Sequence, residues 1–167
     1  IQDKSKVTIQ INQSNLDMAI MKHSLDAIHY LKALREPVNN GKPFTRKIDK
    51  LGTVKLYISQ HEGGNQKIAL MRKPRMLIQE ISRKVLSNFA GVLLVDDETG
   101  NQNLRLAENP RHDKIQKYLM REHFPPEVDF IGELWNFIDD TLEDLKGSST
   151  HEKLEIPGLG NLLPGNK

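Results

Sequence analysis

Residues 67–81 read KIALMRKPRMLIQEI. Two apolar runs of strand length flank a knot of charge, Arg72, Lys73 and Arg75, set around Pro74. Short runs of this kind, rich in Ile and Leu, fit strands better than helices. Proline donates no ladder hydrogen bond, so it belongs at the end of a strand and not in its middle. The stretch therefore reads as strand, corner, strand. It leaves open what three cations do at the corner: they can be solvated, or they can reach for a phosphate.

Working outward, TVKLYIS (53–59) puts Val54, Leu56 and Ile58 on one side of a strand. HEGGN (61–65) reads as the turn of a hairpin joining that strand to KIALMR. Beyond the corner, SRKVLSNF (82–89) is polar and basic and reads as a loop. AGVLLVDD (90–97) is a strand buried on both faces, ending in the acidic turn DDETGN. Nearer the start of the chain, KVTIQI alternates Val7, Ile9 and Ile11 as a half-buried strand. Ser14 or Asn15 can cap a helix carrying Leu16, Ile20, Ala27, Ile28, Leu31 and Leu34, which Pro37 ends.

After the acidic turn, residues 103–119 read as a helical region broken at Pro110. A last amphipathic helix carries Val128, Ile131, Trp135, Ile138, Leu142 and Leu145 on one stripe, with Trp135 as its anchor, and stops at Gly147. The tail has too many Pro and Gly residues for regular structure, though Leu154, Ile156, Leu159, Leu162 and Leu163 could dock on a groove. These readings predict an α+β fold: a mixed sheet of four or five strands with helices packed on it and a C-terminal amphipathic helix. The division is 1–125 for the domain, 126–146 for the helix and 147–167 for an irregular tail.

At 167 residues, with 37% hydrophobic and 5% aromatic content, the chain can bury one good core. No apolar run approaches the ~20 residues that span a bilayer, so no membrane partner is expected. The absence of cysteine excludes disulfides and thiolate metal sites and fits a reducing, cytoplasmic location. A first residue of Ile1 suggests that further chain precedes it. Net charge is only +2 but unevenly spread. From Lys42 to Lys84 there are eleven Lys and Arg against Asp49, Glu62 and Glu80, whereas residues 127–144 hold seven acids and no base. The two surfaces can attract each other, or the basic one can meet a nucleotide or nucleic acid.

Candidate chemistry is sparse. GLG at 158–160 lacks the strand and helix of a dinucleotide fingerprint, and no GxxxxGK[ST] loop is present. His23 and His29 lie six apart, the wrong spacing for two ligands on one helix face. Asp96, Asp97, Glu98, Glu108, His112 and Asp113 could in principle bind Mg²⁺ or a transition metal. The simpler reading has Asp96 and Asp97 bonding to their own turn and Asp113 capping a helix. No complete active site is visible.

The segments ALMRKP (69–74), FAGVLLVDD (89–97) and the Leu104–Asp113 stretch LR…E-x-P-x-H-D, with EIPGLGNLLP beyond, resemble the C-terminal part of bacterial GHKL-type ATPases. Some of these are ATP-binding proteins associated with DNA-modification or phage-defence loci. The resemblance covers most of the chain from about Lys50 onward. It corresponds to the transducer domain of relatives such as gyrase, MutL and the ninety-kilodalton heat-shock chaperone, a sheet with helices on one face. It implies an ATPase domain upstream in cis that holds ATP and Mg²⁺; a homodimer and DNA stand as further candidate partners on the competing readings. In such domains a basic residue reaches the γ-phosphate from a strand end similar in form to MRKP. By that likeness Arg72 and Lys73 are the candidate catalytic cations and Arg75 contributes to cofactor binding, although Arg75 stands where a small residue is expected. Removal of Arg72 or Lys73 is then expected to spare folding. The competing classes are a nucleic-acid-binding module using the basic strands of 42–84, and a protein-interaction domain without catalysis.

Overall fold

A computed structural model describes residues 25–152. The strand read at 7–11, the first part of the helix that follows it and the apolar tail of 154–163 lie outside the described residues. The elements run α1 (Leu25–Arg35), β1 (Phe44–Ile48), β2 (Gly52–Gln60), β3 (Lys67–Arg72), β4 (Met76–Ser82), β5 (Phe89–Val95), α2 (Glu98–Leu106), α3 (Lys117–His123) and α4 (Phe130–Glu152). The five strands form one mixed sheet in the order β1-β2-β5-β3-β4. The fold is α+β, with a long C-terminal helix.

Every residue of β5 is buried, and that burial explains the strand order. A strand that is apolar on both faces is most stable with a neighbour on each edge and a cover on each side. β5 therefore takes the centre, antiparallel to β2 and parallel to β3. The expected β2–β3 hairpin does not form, because β5 lies between the two strands. HEGGN crosses the end of β5 instead of folding tightly back. His61 N–H donates to the Asn88 carbonyl at 2.8 Å and Gln66 N–H to the Phe89 carbonyl at 2.9 Å. A Cβ on Gly64 would come within 2.5 Å of the Phe89 nitrogen. The glycine there serves close backbone approach and not a two-residue turn.

Where a hairpin does form, it is at the Pro74 corner. Arg75 N–H donates to the Arg72 carbonyl at 2.7 Å, and β3 and β4 pair antiparallel from Lys67↔Ser82 to Arg72↔Met76 with a shift at Leu70/Met71. β1 has no counterpart in the sequence reading. Its core residue, Ile48, alternates with exposed Lys47 and Thr45, a pattern too short and too charged to stand out.

The sheet is covered on both faces, not one. On one side Leu56, Ile58, Ile68, Leu70, Phe89 and Leu93 meet Leu104, Met120 and the α4 residues Phe130, Leu134, Phe137, Ile138 and Leu142. The alternate positions, Ala69 and Val92, face the other way and pack with Tyr30 and Ala33 of α1. The expected stripe on α4 is offset. Ile131, Ile138 and Leu142 are buried, Trp135 is only partly so, and Leu134 and Phe137 anchor the helix in its place. The helix also runs through Gly147 and on to Glu152.

Candidate functional site

The parallel pairing of β3 with β5 brings the C-terminal ends of both strands to one edge of the sheet, with Arg72 opposite Val95. Lys73 N–H extends the ladder to the Val95 carbonyl at 3.3 Å. The antiparallel β2 starts at the same edge, so that Lys55 stands opposite Leu94. Residues far apart in the chain, Lys55, the 72–75 corner, Asp96 and the first turn of α2, are thereby gathered together. Asp97 caps α2, its Oδ1 accepting from Gly100 N–H at 2.9 Å. The helix is seated because Gly100 has no side chain: a Cβ there would overlap the Leu51 carbonyl.

The three corner cations differ in what surrounds them. Arg72 continues the inward alternation of Ile68 and Leu70 and is buried, 7% exposed. Its guanidinium forks onto Glu108, Nε to Oε1 at 2.5 Å and Nη2 to Oε2 at 3.2 Å. The Glu108 side chain is fully buried and also meets Nδ1 of His112 at 2.8 Å. A bidentate pair out of water holds both partners firmly, since freeing either leaves a charge in apolar surroundings. Arg72 is thus a positioning residue tying the end of β3 to the loop after α2.

Lys73 and Arg75 project outward. The Lys73 ammonium lies 3.3 Å from Glu98, but both side chains are mostly exposed, at 57% and 66%. Such a pair contributes about 0–1 kcal/mol, so the lysine can exchange its partner readily. Arg75 is exposed and, among the described residues, its guanidinium has no hydrogen-bond or ion-pair partner. Its φ of 78° is left-handed, a conformation that costs an L-residue roughly 1–2 kcal/mol. Lys73, Pro74, Arg75, Leu94 and Asp96 line an open pocket of about 430 Å³. Lys55 closes one side of this edge through a 2.9 Å bond to Asp96, which raises the lysine pKa and keeps it cationic.

The acidic residues considered as metal ligands are dispersed. Asp96 serves Lys55, Asp97 caps α2, Glu98 faces Lys73 and Glu108 holds Arg72. Asp113 accepts from Asn109 Nδ2 at 2.7 Å and does not cap α3, which starts at Lys117 after Gln116. Among the described residues no group of three or more His, Asp or Glu converges as a metal site, and no helix is long and apolar enough to cross a membrane.

The buried partnership of Arg72 with Glu108 escaped the sequence reading. Its only signal was that Arg72 falls in phase with Ile68 and Leu70 on β3. No protein-family model, curated protein or solved structure matches the chain.

Proposed function

We propose that the chain is a transducer-like coupling domain of a GHKL-type ATPase, presenting Lys73 and Arg75 to the phosphates of ATP held by an upstream domain in cis. The observation that carries this reading is the division of labour at the corner. A buried Arg72–Glu108 pair fixes the turn, while one weakly paired and one unpaired cation face an open pocket. Cations placed in advance neutralise charge developing on phosphoryl oxygens without reorganising during the reaction. Mg²⁺ would come with the nucleotide in the upstream domain. Arg72, named with Lys73 by the family likeness, acts in this proposal through the turn and not on phosphate.

The nucleic-acid reading is less well supported. Arg46, Lys50, Lys55, Lys67, Arg72, Lys73 and Arg83 all have acidic partners, though the Lys50–Asp49 and Lys73–Glu98 pairs are largely exposed and can exchange, leaving Lys42, Lys47, Arg75 and Lys84 as the cations of the basic stretch with no acidic partner among the described residues.

The test is ATP turnover in the intact protein that carries this chain. Lys73→Ala and Arg75→Ala should each lower kcat at least about tenfold, roughly 1.4 kcal/mol of transition-state stabilisation. Lys42→Ala and Lys84→Ala should leave it unchanged. Equal small losses at all four positions, with binding that weakens steeply in salt, would favour a nucleic-acid surface. Calorimetry adds a second check: residues 1–167 alone should not bind ATP at micromolar concentration.

A further inference from the structure

At the end of the sheet opposite the corner, His29 of α1 meets His61 just after β2. Nδ1 of His29 is 2.8 Å from Nε2 of His61. The rings are within 16° of parallel and their centroids are 5.1 Å apart, the separation expected when two imidazoles meet edge to edge in one plane. On its other side, His61 Nδ1 lies 2.9 Å from Ser59 Oγ. Ser59, His61 and His29 thus form one hydrogen-bonded line from strand to helix.

We propose that this line is a pH-sensitive latch, holding α1 on the sheet near neutrality and releasing it in acid.

The proton count supports the assignment. With both rings neutral, one N–H lies between them and the contact is satisfied in either direction. One added proton still leaves a donor facing an acceptor. A second places two N–H groups head to head on adjacent cations, and the contact breaks. The docked pair therefore accepts one proton fewer than the released pair.

The surroundings act in the same direction. Burial, then Lys32 and His29, hold His61 below its ordinary 6.5, with Glu36 opposing. Asp26 of α1 lies beside His29 but is committed to Asn65 and to Lys67 of β3, at 3.0 and 2.9 Å. From β4, Glu80 accepts from Tyr30 Oη at 2.6 Å. Tyr30 and Ala33 are the buried side chains of α1 among those described, with Leu34 partly buried beside them, so these polar contacts supplement a small apolar footprint. Release would uncover Ala69, Val92, Tyr57 and Met71 on that face of the sheet.

Because docked His61 resists protonation, the latch is intact above 6.5 and weakens as pH falls below it. Hydrogen exchange on the whole chain reads this directly. Corrected for intrinsic rates, protection of amides in 27–35 should fall up to about tenfold per pH unit between about pH 6.5 and pH 5, the limit for one proton, while β5 amides hold. His61→Gln and His29→Gln can each keep a hydrogen bond but do not titrate, so either should abolish the step. If one variant fails to fold, the other carries the test. No selective loss in the wild-type chain, or a step that survives in the variants because Asp26 or Glu80 senses the acid, would overturn the proposal.

Discussion

Two guanidiniums three residues apart, Arg72 and Arg75, differ because one leaves the strand on its buried side and the other leaves a turn. Losing one partner of a buried bidentate pair costs about 3–5 kcal/mol. Arg72→Ala should therefore lower the Tm of the chain by at least roughly 6 °C, at about 2–4 °C per kcal/mol for this size. Arg72→Lys should recover only part of that, because a lysine cannot fork onto both Glu108 oxygens. An unchanged melting curve for Arg72→Ala would mean that the pair does not hold the corner. At Arg75 a second substitution separates charge from backbone. Glycine relieves a left-handed cost of roughly 1–2 kcal/mol but loses more freedom on folding, about 0.5–1 kcal/mol. Arg75→Gly should then melt within about 1.5 kcal/mol of the parent, while under the proposed coupling role ATP turnover of the intact protein falls as it does for Arg75→Ala.

Among the elements, α4 is the main cover of one sheet face, and its buried side chains set what each truncation costs. Leu134 is fully buried and Phe137 is 3% exposed. Leu134→Ala should cost about 2–5 kcal/mol and Phe137→Ala about 3–5 kcal/mol. Trp135 is only partly buried at the rim of the cluster, so Trp135→Ala should cost clearly less than either, as urea denaturation of the three variants would show. Phe137 also carries the Arg46 guanidinium 4.7 Å above its ring, a contact worth about 0.5–1 kcal/mol at a partly exposed site. The crossing beneath β5 gives a sharper case. Gly64→Ala drives a methyl into the Phe89 backbone, which cannot swing aside as a side chain can. A loss of about 1–3 kcal/mol is expected, despite the position being in a surface loop.

For the whole molecule, the charge asymmetry is largely consumed internally. Arg46 on edge strand β1 binds Asp140 at 3.0 Å, and Arg83, just past the opposite edge strand β4, binds Asp139 at 2.6 Å. Neighbouring aspartates of α4 thus reach both edges of the sheet, through pairs exposed enough to contribute only about 0–1 kcal/mol each. Acid should weaken the fold in two stages. His61, held low, withdraws its contribution as pH falls below 6.5. Asp26 is held low by Asn65 and Lys67, so its contribution is present above its ordinary 3.8 and disappears only as pH drops through its lowered value. Asp129 is likewise held low, chiefly by its bond from Lys117, so equilibrium unfolding followed against pH should show both stages, and Asp26→Asn should shrink the lower one without touching the upper.

The sequence by itself determined the fold class, the both-face burial of β5, the loop after β4 and the corner at Pro74. Each follows from local composition, apolar period or a proline that cannot continue a strand. Only the tertiary structure decided the strand order, because apolar runs state how deeply a strand is buried but not which neighbour it pairs with. That contest went to β5, whose two apolar faces and two free edges have the most to lose in water. The cations of the corner were legible as residues but not as roles. Arg72 and Lys73 are adjacent and chemically alike on paper, and successive side chains of a strand point to opposite sides. Arg72 therefore met a buried carboxylate supplied from thirty-six residues further along the chain, while Lys73 and Arg75 stayed at the surface, where a phosphate could reach them.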